Sequence, residues 1–310
     1  MHRRGTPSAF VISQTAFDRE GEIDWPMFRA HLRRLRESGI GVYAGGGGSG
    51  EGHTLLPHEV EELLAVAAEE LVGKVPARAM GVEPRTARQM IEFGRLVKAS
   101  GLDAMQIYSL DMGHLGQPGP GELDLYFSEV LDAIDLPSII STHYSVGYMI
   151  PVDLLCSLCE RYDSVIGINC SIGQDFTYLV RLLAELPPHV EVHVGGPMHT
   201  LSALAMGATG YLTSEGNLAP KLAQSLVELY AKGDYAGAEE AYSKVVQIFS
   251  MAMAGLGGSK AMQNALGLPG GYPRRPRVYR STPEAIARGR QMLAEIGIPE
   301  LEPCLQRAAS

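Results

Sequence analysis

The sequence contains no apolar run approaching the roughly 18 residues that a membrane-spanning helix needs, so no membrane span is expected. It also lacks a basic excess: 26 Lys and Arg stand against 35 Asp and Glu, a net charge of −9, with a pI near 5.5. Nucleic acid and anionic membrane both require a basic face, and neither is an expected partner. A small anionic substrate stays open, because a site can be locally positive. Cysteine is scarce, with four in 310 residues, too few for a secreted disulfide framework. Cys156 and Cys159 form a CxxC, but they sit in the apolar helical run Leu154 to Cys159 and read as small core residues, not as a redox or zinc site. The opening Met1-His2-Arg3-Arg4-Gly5 is positive without an apolar stretch after it, so no signal peptide is expected and the protein is placed in the cytoplasm. There is no internal repeat beyond a strand–helix unit.

What is present is a hydrophobic content of 45%, enough for a large core as one barrel or two modest domains. Short β-rich runs are expected to form strands near Ala9–Ile12, Gly41–Ala44, Pro76–Met80, Ala104–Tyr108, Ser138–Thr142, Val165–Asn169, Val190–Val194 and Gly210–Thr213. Amphipathic segments fall between them. Trp25–Ser38 opens after Asp24, a good N-cap, and Pro57–Leu71 opens with Pro and an acidic first turn. Thr86–Ser100, Glu122–Ile134, Pro151–Arg161, Asp175–Glu185, Thr200–Met206 and Ala219–Lys232 follow. Strands alternating with helices eight times predict an α/β fold, a closed (β/α)8 TIM barrel. A doubly wound open sheet is the competing arrangement, weakened by the lack of a GxGxxG after the first strand. Beyond Lys232 the strand signal stops. Tyr235–Met253, a shorter helix around Lys260–Leu266, a Gly/Pro/Arg-rich stretch from Gly267 to Arg280 and Thr282–Ile296 predict a helical cap over 233–310, packed on a barrel of 1–232.

The first chemical signal is Gly45-Gly46-Gly47-Gly48-Ser49-Gly50-Glu51, at the C-terminal end of the second expected strand. In a barrel that end carries the active site. Glycines let the backbone approach a ligand and leave amide groups open to an anion, and Ser49 adds a hydroxyl. A merely flexible loop would share this composition; its place on a barrel strand favours binding of a carboxylate or phosphate.

Gly47-Gly48-Ser49-Gly50-Glu51, followed by Thr54-Leu55 and Glu59, resembles the GxxGE signature of the dihydrodipicolinate synthase / N-acetylneuraminate lyase family. Thr15-Ala16-Phe17-Asp18 with Gly21-Glu22-Ile23-Asp24 is similar to that family's opening strand and turn. Leu136-Pro137, Gly167-Ile168, Gly195, Gly216-Asn217, the Gly233-Asp234-Tyr235 turn and the Lys260 to Leu268 helix follow in the family's order, so the resemblance spans nearly the whole chain. It implies Schiff-base chemistry: a strand 6 lysine attacks the ketone of a 2-oxo acid, and the iminium serves as an electron sink. It also implies a strand 5 tyrosine that relays protons, a glycine loop that holds the carboxylate, a tyrosine after strand 4 that reaches across a dimer interface, and a homodimer or homotetramer.

The sequence departs from that pattern where the chemistry lies. In Val165-Ile166-Gly167-Ile168-Asn169-Cys170, Asn169 stands where the resemblance places the lysine, and an amide cannot form a Schiff base. The only lysines, Lys74, Lys98, Lys221, Lys232, Lys244 and Lys260, fall away from the end of that strand. Ser141 replaces the strand 5 tyrosine, with Tyr144 in the next loop, and Asp111-Met112 replaces the strand 4 pair after Tyr108.

The residues expected to bind substrate are Gly47, Gly48, Ser49, Glu51, Tyr108 and Glu215. Those expected to carry chemistry are His143, Asp111, Asn169, Tyr144 and Ser141, with His53, His114, His199 and Ser214 nearby. His143 is suited to general acid–base work, with Asp111 fixing its tautomer, and Asn169 could donate a hydrogen bond to an enolate or carbonyl oxygen. Each histidine also reads as ordinary loop polarity. Asp111, His143, Glu51 and His199 are ligand types for a divalent cation, but no HxH or HxxE spacing links any of them, so no cofactor is expected. The expected function is a lyase-type reaction (aldol, retro-aldol, hydratase or dehydratase) on a 2-oxo acid or related carboxylate, without a Schiff base. The alternatives are a non-catalytic ligand-binding or regulatory homologue, or a metal-assisted or acid–base enzyme of another class, since a barrel alone does not decide function.

Overall fold

The computed structural model describes residues 4–173, 175–253, 258–278 and 281–307. Residues 1–3, part of the stretch read for a signal peptide, residue 174, and 254–257, 279–280 and 308–310, within the expected cap, lie outside the described residues.

Eight parallel strands close into a barrel in chain order: β1 (Ser8–Ile12), β2 (Gly41–Ala44), β3 (Ala77–Met80), β4 (Ala104–Ile107), β5 (Ser138–His143), β6 (Val165–Ser171), β7 (Glu191–Gly195) and β8 (Gly210–Thr213). The strands are buried on both faces, as parallel strands under helices must be; β2, β3, β4, β5 and β8 are buried at every residue. Closure needs β8 to approach β1 closely. A side chain at Gly210 would sit 1.7 Å from the Ser8 carbonyl oxygen, so only glycine fits there.

The outer helices are α1 (Trp25–Glu37), α2 (Pro57–Leu71), α3 (Ala87–Ser100), α4 (Pro120–Ala133), α5 (Val152–Arg161), α6 (Phe176–Glu185), α7 (Thr200–Ala205) and α8 (Pro220–Lys232). Their starts follow from side-chain chemistry. Asp24, Thr86 and Asp175 each accept a hydrogen bond from a first-turn amide, and proline opens α2, α4 and α8, where its missing N–H costs nothing. Each helix then turns an apolar stripe inward; α1 buries Phe28, Leu32 and Leu35. On α5, Cys156 and Cys159 are free thiols, and burial pushes the Cys159 thiol up to about 12, which leaves it unreactive.

Past β8 the chain is helical. The helix α9 (Tyr235–Met253) packs on α7 and α8, and α11 (Pro283–Ile296) packs on α9 and on α10 (Ser259–Ala265). A short α12 (Glu302–Arg307) follows, which the sequence reading missed because six residues beginning Glu-Pro hold too little periodicity. Between α10 and α11 the chain returns to the barrel, where Tyr272 forms a bridge with Phe17. Beyond their expected ends, β5 continues to His143 and β6 to Ser171, and these two residues pair in register. His143 is thereby held on a strand end. No helix among the described residues is long and apolar enough to cross a membrane.

Candidate active site at the barrel mouth

The barrel interior is polar. The Arg78 guanidinium lies 4.2 Å over the Phe10 ring and pairs with Glu191 at 2.9 Å. His193 Nε2 meets the Ser8 hydroxyl at 2.8 Å. Asn169 Nδ2 donates to the Tyr43 hydroxyl at 3.1 Å and to Gln106 Oε1 at 2.6 Å. Both hydrogens of the amide are therefore used inside the barrel, and its buried Oδ1 is left without a partner. The expectation that Asn169 donates to an enolate is corrected by this geometry: the open atom is an acceptor.

Above this floor, the glycine loop after β2 is folded on itself. A side chain at Gly52 would lie 2.2 Å from the Gly45 carbonyl oxygen and one at Gly50 would lie 2.6 Å from that of Gly46, so bulk is excluded at both. Thr15 Oγ1 donates to the Gly50 carbonyl at 2.7 Å, and His53 Nδ1 meets the Gly47 carbonyl at 3.1 Å. Ser49 Oγ donates to Ser214 Oγ at 2.6 Å, tying the loop to the end of β8. Nothing crowds Gly48.

Two carboxylates expected to bind substrate are committed elsewhere. Glu51 adopts a left-handed backbone, φ 54, and its buried carboxylate accepts from Lys260 Nζ and from the Arg274 amide. It anchors the loop to the C-terminal segment. Arg274 extends the anchor by a paired contact with Glu59 at 2.6 Å. Glu215 Oε2 accepts from Thr213 Oγ1 at 2.9 Å and from the Ser214 amide at 3.2 Å, closing its own turn, and burial raises its pKa.

His143 is where the structure departs most from expectation. Asp111 is not its partner: Asp111 pairs with Arg85 at 3.2 Å and accepts from the Gly113 amide. The carboxylate facing His143 is Glu83, with Oε1 at 3.4 Å from Nε2. Glu83 follows β3 in Gly81-Val82-Glu83-Pro84, and its Oε2 reaches to 3.9 Å from where a side chain on Gly47 would begin. The Tyr108 ring stands edge-on to the imidazole, with centroids 5.5 Å apart. The Tyr108 hydroxyl meets the Gln106 side chain and the Gly47 backbone, and burial, with the Glu83 charge adding, pushes its pKa far above the ordinary phenol value. Glu51's neighbourhood thus supports the loop, while Glu83, Tyr108, His143 and the Gly47 backbone form the polar face of the mouth. Sequence reasoning missed Glu83; its one signal was an acidic residue just past a barrel strand's C-terminal end.

Of the remaining expected residues, Ser141 lies within β5 and the others lie beyond the strand ends. Ser141 is buried in β5, and its carbonyl accepts from Ser109 Oγ. Tyr144 is half exposed with its ring 3.6 Å from where a side chain on Gly173 would begin. His199 Nε2 meets the Gly173 carbonyl at 2.7 Å, and His114 is exposed. Among the described residues no three His, Cys, Asp or Glu side chains gather as ligands for a metal ion.

Residues 7–286 match the model of the dihydrodipicolinate synthetase family. The chain belongs to that family. A 4-hydroxy-tetrahydrodipicolinate synthase of Exiguobacterium sibiricum is 28% identical over 270 residues, covering 86% of this chain and 90% of its own. One of Corynebacterium aurimucosum is 27% identical, covering 93% and 94%. Among solved structures, Escherichia coli K12 YagE, a member of this family crystallised in complex with pyruvate, superposes with a TM-score of 0.83 at 22% identity, covering 94% of this chain and 99% of that one. That likeness confirms the barrel with its C-terminal helices. Within the family frame the six lysines are all accounted for. Lys74 binds carbonyls at the end of α2, Lys98 pairs with Asp135, Lys244 with Glu240 and Lys260 with Glu51. Lys221 and Lys232 are exposed on α8.

Proposed function

We propose that this chain is a lyase-type enzyme acting on a 2-oxo acid or a related carboxylate, with no Schiff base in its mechanism. The observation that carries the reading is the combination at one barrel mouth of an open glycine loop and a lysine-free interior. Gly48 and Ser49 offer backbone amides to a carboxylate, and the family membership and the pyruvate complex of YagE support a small carboxylate as the ligand. Asn169 takes the place that the resemblance gives to the lysine and cannot bond covalently to a ketone. Electrons released next to the carbonyl must then be stabilised by hydrogen bonds in a water-poor site, and Tyr108 and His143 stand in position for that. The reading includes a homodimer or homotetramer in the cytoplasm.

The test is reductive trapping. Incubation with pyruvate and borohydride, followed by intact-mass measurement, is expected to leave the protein mass unchanged. A stable pyruvyl adduct on any lysine contradicts the proposal.

A further inference from the structure

We propose that Glu83 is the catalytic base of this mouth and that His143 works beside it as a neutral hydrogen-bond donor, the two together enolising a 2-oxo acid held at the glycine loop. This deepens the proposed function and rests on it.

The roles follow from where the imidazole proton must be. His143 Nδ1 accepts the Ser145 backbone amide at 3.2 Å, so in the neutral ring that nitrogen is the lone pair and the proton sits on Nε2. Burial lowers the His143 pKa, with Glu83 acting in the opposite sense, and the neutral form is the one that the site favours. A histidine whose only free lone pair is already taken cannot accept a proton from substrate. It can donate Nε2–H, and that atom is buried without a hydrogen-bond partner.

Glu83 is the complementary group. The groups facing it are His143 from β5, the Tyr108 phenol just after β4 and the Gly47 backbone after β2. The cation on its own loop, Arg85, is turned to Asp111. His143 is thus its only ion-pair partner among the described residues, and a neutral imidazole does not compensate its charge. The separation of 3.4 Å is too long for a settled hydrogen bond, yet short enough for both groups to reach neighbouring atoms of one small ligand. A carboxylate base beside a neutral imidazole donor is an arrangement suited to proton abstraction next to a carbonyl.

The step balances within the site. With the acid's carboxylate on the Gly48–Ser49 amides, a proton passes from C3 to the Glu83 carboxylate. The C–H pair becomes the C2–C3 double bond, and the carbonyl pair moves onto the C2 oxygen, where His143 Nε2–H binds it. Glu83 then returns the proton to C3, or the enolate attacks an aldehyde carbon while Glu83 protonates the new alkoxide. The reverse sequence cleaves the C–C bond.

The experiment follows the methyl protons of pyruvate in D2O by proton NMR. The wild-type protein is expected to accelerate their exchange for deuterium. Glu83→Gln is expected to reduce that acceleration by about 100-fold or more, the usual range for a lost general base, with little change in the pyruvate concentration that half-saturates the rate. His143→Phe is expected to slow exchange with a normal unfolding midpoint. Exchange by Glu83→Gln close to the wild-type rate overturns the base assignment, as does a wild-type protein that exchanges no faster than buffer. Borohydride trapping separates the two claims: unchanged mass with a fully active Glu83→Gln sinks only the Glu83 role, whereas an adduct sinks the proposed function.

Discussion

At the residue scale, buried histidines couple the barrel to pH. His31 on α1 is fully enclosed, with Nε2 on Asn217 Oδ1 at 2.9 Å, and His193 lies inside the barrel against Ser8. Burial drives the pKa of each down to about 3. In the unfolded chain both return to about 6.5, so the unfolded state binds more protons between those values. Stability from this source is complete above about pH 6.5 and is lost as pH falls toward about 3, each residue contributing a slope of up to about 1.4 kcal/mol per pH unit. Urea midpoints measured from neutral pH into the acid range are expected to fall steadily, and His193→Gln is expected to flatten the fall. A midpoint that stays constant down to about pH 4.5 contradicts the assignment of neutral buried rings. The same scale explains why His143 reads differently in three dimensions. Its residue type promised a general base, but one backbone amide on Nδ1 turns it into a donor.

At the element scale, the glycine loop is held by segments remote in sequence. Glu51 reaches Lys260 on α10 and the Arg274 backbone, while Arg274 also grips Glu59 on α2. Burial lowers the Lys260 pKa while Glu51 raises it, as expected for an amine that stays charged only through its partner. Removing one member leaves the other buried and uncompensated, which costs about 3–5 kcal/mol. Lys260→Met is therefore expected to lower stability by that order and to weaken pyruvate binding, because the loop loses its anchor. Adding Glu51→Gln to the same protein is expected to restore much of the stability. Equal urea midpoints for wild type and Lys260→Met contradict the anchoring role.

At the scale of the whole molecule, the barrel was legible because its determinants are local. Buried apolar runs, caps such as Asp24 and Thr86, and prolines at helix starts each announce an element within a few residues. The glycine loop was legible for the same reason, since its chemistry follows from having no side chains. The mouth was less so. Pairing Glu83 with His143 requires β3 and β5 to stand around one barrel, and pairing Asp111 with Arg85 requires two loops to meet. Nothing in Gly81-Val82-Glu83-Pro84 marks that carboxylate as facing inward. Asn169 could be located from the order of motifs, but its bonds to Tyr43 and Gln106 come from three strands meeting inside the barrel. The central claim, an acid held at the glycine loop with no covalent tie to lysine, is tested most directly by a crystal structure of the protein soaked with pyruvate. The account predicts the pyruvate carboxylate on the Gly48 and Ser49 amides, its ketone oxygen toward His143 and its methyl group toward Glu83. Density joining pyruvate C2 to any lysine Nζ, or a carboxylate bound away from the glycine loop, would contradict it.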